Sequence, residues 1–600
     1  MTTAEPVSAI PMNPSAKPAI PFTEVNGEKL TPEQYAYLSG WFAGLQDRGF
    51  TFADAEKPTQ AQEPKQPDLT TLILEERLKQ ELHPLDAYPL LLEHAAAQKV
   101  PERENVFRFK WHGLFYLTPI KESFMARLRV AGGVLRSFQL REISRIAGEL
   151  TTGYIQITTR ANLQIRLIQV QDTPEFLRQI QHTGLHTRGA GADNIRNLTA
   201  SPTSGIDPYE LIETIPLSQQ LGQIIINDRS FYNLPRKFNV AFDGGGMISS
   251  VEETNDIGVK AVRLEKEING IQPGVYFRIK LGGATGHKAI AADLGVLVPP
   301  EQILKVVEAL IRVYIANGNR SDRKKARLKH LLETWSLDRY LHETETLLGA
   351  KLVRKPFNLE EETTTLFVGN KQHAHVGVFP QKQKGLVYIG VVPPVGQVTA
   401  KQLVQLADIA DTYGCGEVRL TVWQNIIIPG IRADQIEKVK KAVLKAGFDW
   451  KQSNIRSGIV ACTGNSYCKF SSTNTKSHAL ELGQYLEKRF HLDQPLNIHV
   501  TGCPNSCAQH YIGDIGLLGT KIKTGSDSVE GYHIFVGGGF GDNQAIGRQV
   551  FQAITLADLK PTVEKMIQGY LRRRLPGEAF QKFTLRHDLN NLQAIFTNEE

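Results

Sequence analysis

Four of the five cysteines fall into two close pairs. Cys462 and Cys468 are separated by five residues; 34 residues further on come Cys503 and Cys507, separated by three. They sit in Ala461-Cys-Thr-Gly-Asn-Ser-Tyr-Cys-Lys-Phe-Ser and Val500-Thr-Gly-Cys-Pro-Asn-Ser-Cys-Ala. Four thiolates supply one soft, anionic ligand for each iron of a [4Fe–4S] cluster. A structural zinc site is the competing reading, but zinc pairs usually stand two to four residues apart and the first spacing is wide for one. Unliganded buried cysteines are the blander alternative, and two glycine-flanked pairs speak against it. Cys415 stands apart and reads as a buried or inert thiol. The first 414 residues hold no cysteine, so disulfide stapling is not expected, and four thiols within one stretch of a large chain point to metal or redox work.

A chain of 600 residues is too long for one hydrophobic core and predicts about three to five units. Its 41% hydrophobic and 22% charged residues are those of a soluble globular protein able to bury large cofactors. No apolar run approaches a membrane span, and the opening residues lack a basic region followed by an apolar stretch, so a cytoplasmic, non-membrane protein is expected. The net charge of +7 favours anionic partners without choosing among substrates, acidic electron carriers and nucleic acid.

The elements that must position the cysteines follow from periodicity. Residues 1–70 are rich in Pro, Ala, Gln and Glu, as in Lys57-Pro-Thr-Gln-Ala-Gln-Glu-Pro, and read as a tail and linker. Within them Thr31 as N-cap, Pro32 at the first helical position and an apolar stripe through Tyr35, Leu38, Trp41, Phe42 and Leu45 predict one short helix. Beyond about residue 105 strand-like and helix-like stretches alternate, with Leu420–Ile428 reading as a buried strand and Ala400–Ala410 as a helix. The class is α+β. Gly153-Tyr-Ile-Gln-Ile-Thr-Thr-Arg-Ala-Asn-Leu-Gln-Ile165 aligns without gaps to Gly416-Glu-Val-Arg-Leu-Thr-Val-Trp-Gln-Asn-Ile-Ile-Ile428, each copy following a helix-like segment. That spacing is far too long for a solenoid and implies two pseudo-symmetric halves with a site between them.

The two cysteine segments resemble the signature of the sirohaem-containing nitrite and sulfite reductases, Cys-Thr-Gly-x3-Cys followed by Thr-Gly-Cys-Pro-Asn-x-Cys. The resemblance extends from about residue 105 to 590 and takes in Phe124–Gly133, Ile157–Arg166, Asp193–Leu198, Leu234–Asn239 and Gly318–Arg327. It implies that Cys462, Cys468, Cys503 and Cys507 bind the [4Fe–4S] cluster and that Cys507 also bridges to the sirohaem iron. It further implies three α/β domains around a sirohaem, with two sulfite/nitrite reductase repeats. The divisions expected are a tail, helix and linker over 1–70, an N-terminal wrap over 71–106, paired ferredoxin-like repeats over 107–185 and 365–450, a sirohaem-binding domain over 186–350, and a cluster- and sirohaem-binding domain over 451–600.

Nitrite and sulfite are small anions and sirohaem carries eight carboxylates, so such a site needs fixed cations. By resemblance Arg127, Arg196, Lys237 and Asn239 surround the substrate, arginine offering a planar fork to oxyanion oxygens and lysine a mobile ammonium able to relay protons. Arg160, Arg236 and Arg327 match positions that clamp sirohaem carboxylates, with Gln424 and Asn425 near the ring and Asn505 close to the bridge. Position 239 separates two substrate readings. Sulfite reductases of the family typically have Lys-Phe-Lys where this chain has Lys237-Phe-Asn239, and the neutral amide suits a monoanion, so nitrite reduction to ammonia is expected, with sulfite reduction to sulfide the alternative. No nicotinamide or flavin fingerprint occurs in a suitable context, so electrons are expected from ferredoxin, or flavodoxin, docking on what is expected to be a monomer. Gly537–Gly541 and Gly282–Gly286 read as turns or close backbone packing. The basic run Arg320–His330 reads as a helix with charges facing sirohaem and solvent, not as a nucleic-acid site.

Overall fold

The computed structural model describes residues 23–25, 28–32, 35, 72–116, 120, 123–355, 363–364, 373, 375–451 and 453–598. The chain divides into two units, 1–71 and 72–600. In the first, Glu24–Val25 and Glu28–Lys29 form an antiparallel pair; most of the helix expected from Thr31 lies outside the described residues.

In the second unit each sequence repeat builds a five-stranded antiparallel sheet and lends a strand to the other. One sheet runs Gln397–Thr399, Tyr154–Ile157, Leu163–Gln169, Ser123–Arg127, Leu114–Tyr116; the other runs Gly377–Pro380, Leu386–Val391, Ile426–Arg432, Glu417–Leu420, Val134–Arg136. Val134–Arg136 from the first repeat thus completes the second sheet, and Gln397–Thr399 from the second completes the first. Each exchanged strand runs straight into a helix, Ser137–Leu150 or Ala400–Tyr413. The second begins with a capping box in which Thr399 and Gln402 satisfy each other's backbone groups. Apolar positions of both helices, among them Ile143, Ile146, Leu406 and Ala410, share one core with both sheets.

The segments read from sequence as continuous strands are hairpins. Ile155 pairs with Ile165 around a turn at 158–162, and Arg419 with Ile427 around one at 421–425. In each turn the leading threonine N–H donates to the asparagine carbonyl, Thr158 to Asn162 and Thr421 to Asn425. Apolar periodicity hid the second turn because Val422 and Trp423 are buried against other elements.

A third sheet, ordered Val353–Arg354, Ala292–Val298, Gly274–Leu281, Ile257–Leu264, Thr363–Thr364, carries Val240–Asp243 parallel to Ile257–Leu264. It packs on the helices Ile215–Asn227, Ile303–Asn317 and Leu337–Leu348. The fourth runs Ile459–Ala461, Ile498–Thr501, Ile515–Thr524, Asp527–Val536, Arg548–Thr555, its first two pairings parallel and the rest antiparallel. Among the described residues no helix is long and apolar enough to cross a membrane.

Candidate active site

Both cysteine pairs begin at the carboxyl ends of neighbouring parallel strands. Ala461 is in register with Val500, Cys462 follows directly, and Cys503 lies two residues beyond Thr501. Parallel neighbours need a crossover of a dozen residues or more; here it contains the helix Thr475–Glu487, which accounts for much of the 34-residue separation. The Cys462 sulfur accepts from the N–H of Gly502 at 3.3 Å. Only glycine fits there, since a Cβ at 502 would stand 1.8 Å from Ser471 Oγ. Cys462, Cys468 and Cys503 all act electrostatically on Cys507, whose thiol is pushed up to about 11, by burial first. Among the described residues no group of three or more His, Cys, Asp or Glu side chains is arranged to hold a single metal ion.

The two pseudo-symmetric turns grip the two cysteine loops. Thr159 Oγ1 donates to the Cys507 carbonyl at 2.9 Å. Gln424 brackets Ala461, its Nε2 donating to the carbonyl (3.0 Å) and its Oε1 accepting from the N–H (3.0 Å), while the same Nε2 also donates to Ile157 O. The Gln424 amide is therefore engaged with backbone and positions the loop. Asn425 is buried in the same turn, its N–H on Thr421 Oγ1.

Positive charge gathers on Cys507. For Arg127, Arg160 and Lys237 alike, Cys507 is a group that favours the charged form. Burial lowers the two guanidinium groups to about 10, still charged at neutral pH, and the Lys237 ammonium to about 7. Arg196 is depressed by burial and by Arg127 beside it. Cys507 is exposed, and Arg127, Arg160, Arg196 and Lys237 are half-buried. Their direct partners are neutral: Arg127 donates to Ala190 O, Arg196 to the carbonyls of Ala190 and Ala192, and Arg160 to Asn255 Oδ1 at 2.6 Å. The buried Asn239 carboxamide oxygen has no hydrogen-bond partner among the described residues. Asn505 is exposed at the second cysteine pair and hydrogen-bonds the Cys503 thiol. A separate cleft of about 290 Å³ beside Phe138, Glu142 and His182 holds none of these residues.

Two buried carboxylates that sequence reasoning left unassigned hold the outer cations. Asp256 accepts from Arg327 Nε (3.2 Å) and Nη2 (2.7 Å) and from the Asn239 backbone N–H (2.9 Å). Asp193 takes both Arg323 Nη atoms, at 2.6 and 2.7 Å, with Arg236 at 3.6 Å and Lys79 at 3.8 Å. Asp193 opens the segment Asp193–Leu198, so its place in a basic motif was the available signal. Lys110 was also missed; burial and the nearby Arg196 and Arg323 lower its ammonium. The run Arg320–His330 is not one helix but a 3-10 turn, Arg323–Lys325, and a short helix, Leu328–Leu332. Arg320, Arg323 and Arg327 there turn onto Glu76, Asp193 and Asp256, and these ion pairs take the place of regular helix. Cys415 is exposed and not the buried thiol expected for it; its pKa is raised, by partial burial first, and its Sγ donates to Pro429 O at 3.7 Å.

Residues 191–352 and 452–599 match the nitrite and sulphite reductase 4Fe-4S domain, and residues 119–182 and 379–446 match the nitrite/sulfite reductase ferredoxin-like half domain. This chain belongs to the nitrite and sulfite reductase family. The matched segments contain all four paired cysteines, every cation named around Cys507, and both hairpin turns. Within the family the chain is 36% identical to ferredoxin–nitrite reductase of Synechococcus elongatus over 78% of its own length and 89% of that protein's. It is 31% identical to the assimilatory ferredoxin-dependent nitrite reductase of Haloferax mediterranei over 80% and 85%. The solved structure of the Mycobacterium tuberculosis NirA protein superposes with a TM-score of 0.80 at 27% identity, covering 87% of this chain and 97% of that one.

Proposed function

We propose that this family member is an assimilatory nitrite reductase, reducing nitrite to ammonia with six electrons from ferredoxin, and that a sirohaem and a [4Fe–4S] cluster would be held at Cys507. The observation that carries the reading is the set of half-buried cations near Cys507, Arg127, Arg160, Arg196 and Lys237, the three arginines among them hydrogen-bonded only to neutral groups. Unpaired charges inside a protein are expensive, and a polycarboxylate macrocycle with a small anion upon it would satisfy them. The relatives named as ferredoxin–nitrite reductases cover most of the chain and support the same substrate and donor.

On this reading Cys462, Cys468, Cys503 and Cys507 hold the cluster. Arg160 neutralises macrocycle carboxylates, Arg236 and Arg327, already shared with Asp193 and Asp256, complete the basic rim, and Asn505 supports the cysteine loop. Residues 107–185 and 365–450 form the paired repeats, with 186–350 and 451–600 facing the cofactors. Bound there, sirohaem and cluster would supply electrons one at a time. The chain's own residues orient and protonate the substrate. Arg127 and Arg196, anchored on the carbonyl of Ala190, aim planar donors at anion oxygens. Lys237, with its proton loosened by burial, passes protons to oxygens leaving as water. Asn239, held by Asp256 through its backbone, adds a neutral amide where a further ammonium would favour a dianion. The basic chain, at +7, suits an acidic carrier as donor. The test is ammonium formation by the purified holoprotein with nitrite and photoreduced ferredoxin, expected at one ammonium per six electrons; release of a partly reduced nitrogen oxide as the main product would contradict the reading.

A further inference from the structure

Two more buried cations lie behind the cysteine loops with no carboxylate to balance them. Lys476, in the first turn of Thr475–Glu487, is 5% exposed, and its ammonium donates to the carbonyls of Val395 and Ala461. Arg166, on Leu163–Gln169, is 3% exposed. Its Nε donates to Gln156 Oε1 at 3.0 Å, and its Nη2 to Gln164 Oε1 and Thr463 Oγ1, both at 2.8 Å. The guanidinium lies 5.2 Å over the Tyr467 ring, which stacks on Tyr154 with centroids 5.6 Å apart. Every one of these partners is neutral. Burial lowers the Lys476 ammonium to about 7 and the Arg166 guanidinium to about 10; against it Cys462 favours the charged form of Lys476, Tyr154 and Cys468 favour that of Arg166, and Arg166 opposes Lys476. Ala461 and Thr463 flank Cys462, so Lys476 holds the backbone of that ligand loop and Arg166 its Thr463 side chain.

Two like charges buried together without counter-ions would each lose several kcal/mol of hydration, unless an anion sits where they converge. Four thiolates around an iron–sulfur core give a centre with net negative charge, and each electron accepted from a reduced donor makes it one unit more negative with no bond made or broken. Fixed cations in a low-dielectric surrounding therefore favour the reduced form, charge being one of the terms that set a cluster's potential. We propose that Lys476 and Arg166 are the counter-cations of the [4Fe–4S] cluster and raise its reduction potential, so that the external donor can load it. The proposal rests on the cofactor reading above. Lys476 balances the Cys462 side from the crossover helix, and Arg166 reaches the Cys468 side from the first repeat, coupling the two halves of the molecule to the cluster's redox state.

The experiment is a redox titration of the full-length holoprotein, following the reduced cluster by electron paramagnetic resonance, for wild type, Lys476→Met, Arg166→Gln and Lys476→Arg, with iron content measured on each. The neutralising variants are expected to shift the oxidised-to-reduced equilibrium about tenfold toward the oxidised form, a midpoint about 59 mV lower for one electron, while Lys476→Arg stays near wild type. Full iron content with unshifted midpoints in both neutralising variants overturns the proposal. If Lys476→Met loses its cluster, Arg166→Gln decides by the same readout. A wild type carrying no cluster overturns the cofactor reading and this proposal with it, whereas a clustered wild type with unshifted variants overturns the proposal alone.

Discussion

Replacing Asp256 by asparagine should damage the fold and the site together. The Asp256 and Arg327 side chains are 0% and 6% exposed, and the carboxylate takes two guanidinium bonds and the Asn239 N–H. Breaking a buried pair by removing one partner costs about 3–5 kcal/mol, much of it the penalty on the charge left behind. Asparagine keeps the volume and one oxygen for the Asn239 N–H, which puts the loss near the lower end, about 3 kcal/mol. For the single unit 72–600, at about 1 °C per kcal/mol, Tm should fall by about 3 °C. Thermal melts of Asp256→Asn and of Asp256→Asn with Arg327→Met make the assay. If the stranded guanidinium is the cause, the double variant regains a large part of the loss. A fall below about 2 °C in the single variant, or a double variant no better than the single, would refute the buried-pair reasoning.

Cys507→Ser should uncouple the haem and cluster spectra, the harder oxygen being a poor bridging ligand, whereas Cys415→Ser, at an exposed thiol remote from the cysteine loops, should keep both; loss of the cluster from the Cys415 variant would break the ligand assignment. Asn239→Lys should move the ratio of kcat/KM values toward sulfite, a tenfold change needing about 1.4 kcal/mol of differential transition-state binding; an unmoved ratio removes residue 239 as the specificity determinant. The Asp514 carboxyl, taking two bonds from Asn497, is raised by burial to about 7. The folded chain therefore keeps a proton there that the unfolded chain releases near its ordinary carboxylate pKa, and the stability this gives at low pH is lost as pH rises toward 7 and above. Asp514→Asn should accordingly gain Tm relative to wild type at about pH 8 and not at about pH 5; a difference that does not change with pH would contradict the assignment.

The family was legible because it rests on residue types at fixed spacings within short motifs, and the same motifs marked Arg127, Arg160 and Lys237, which the fold brings near Cys507. Helices such as Ala400–Tyr413 were legible because one apolar stripe faces one core. The exchanged strands, Val134–Arg136 and Gln397–Thr399, were not: three residues carry no periodicity, and their partners lie in the other repeat. Nor were the turns inside the two hairpins, since Val422 and Trp423 look like strand interior and are buried for a different reason. Gln424 shows a further limit. Its type offers many partners, and that its amide brackets the Ala461 backbone is a fact of the third dimension. Asp193 and Asp256 escaped for a related reason, because a single carboxylate acquires its meaning from the arginines that the fold brings to it.

The measurement that bears most directly on the whole account is steady-state turnover of nitrite and of sulfite by the purified holoprotein, at one pH and with one reduced ferredoxin. The account predicts a kcat/KM for nitrite clearly above that for sulfite, from a pocket where a neutral Asn239 stands beside Lys237; a wild-type enzyme that prefers sulfite would contradict it.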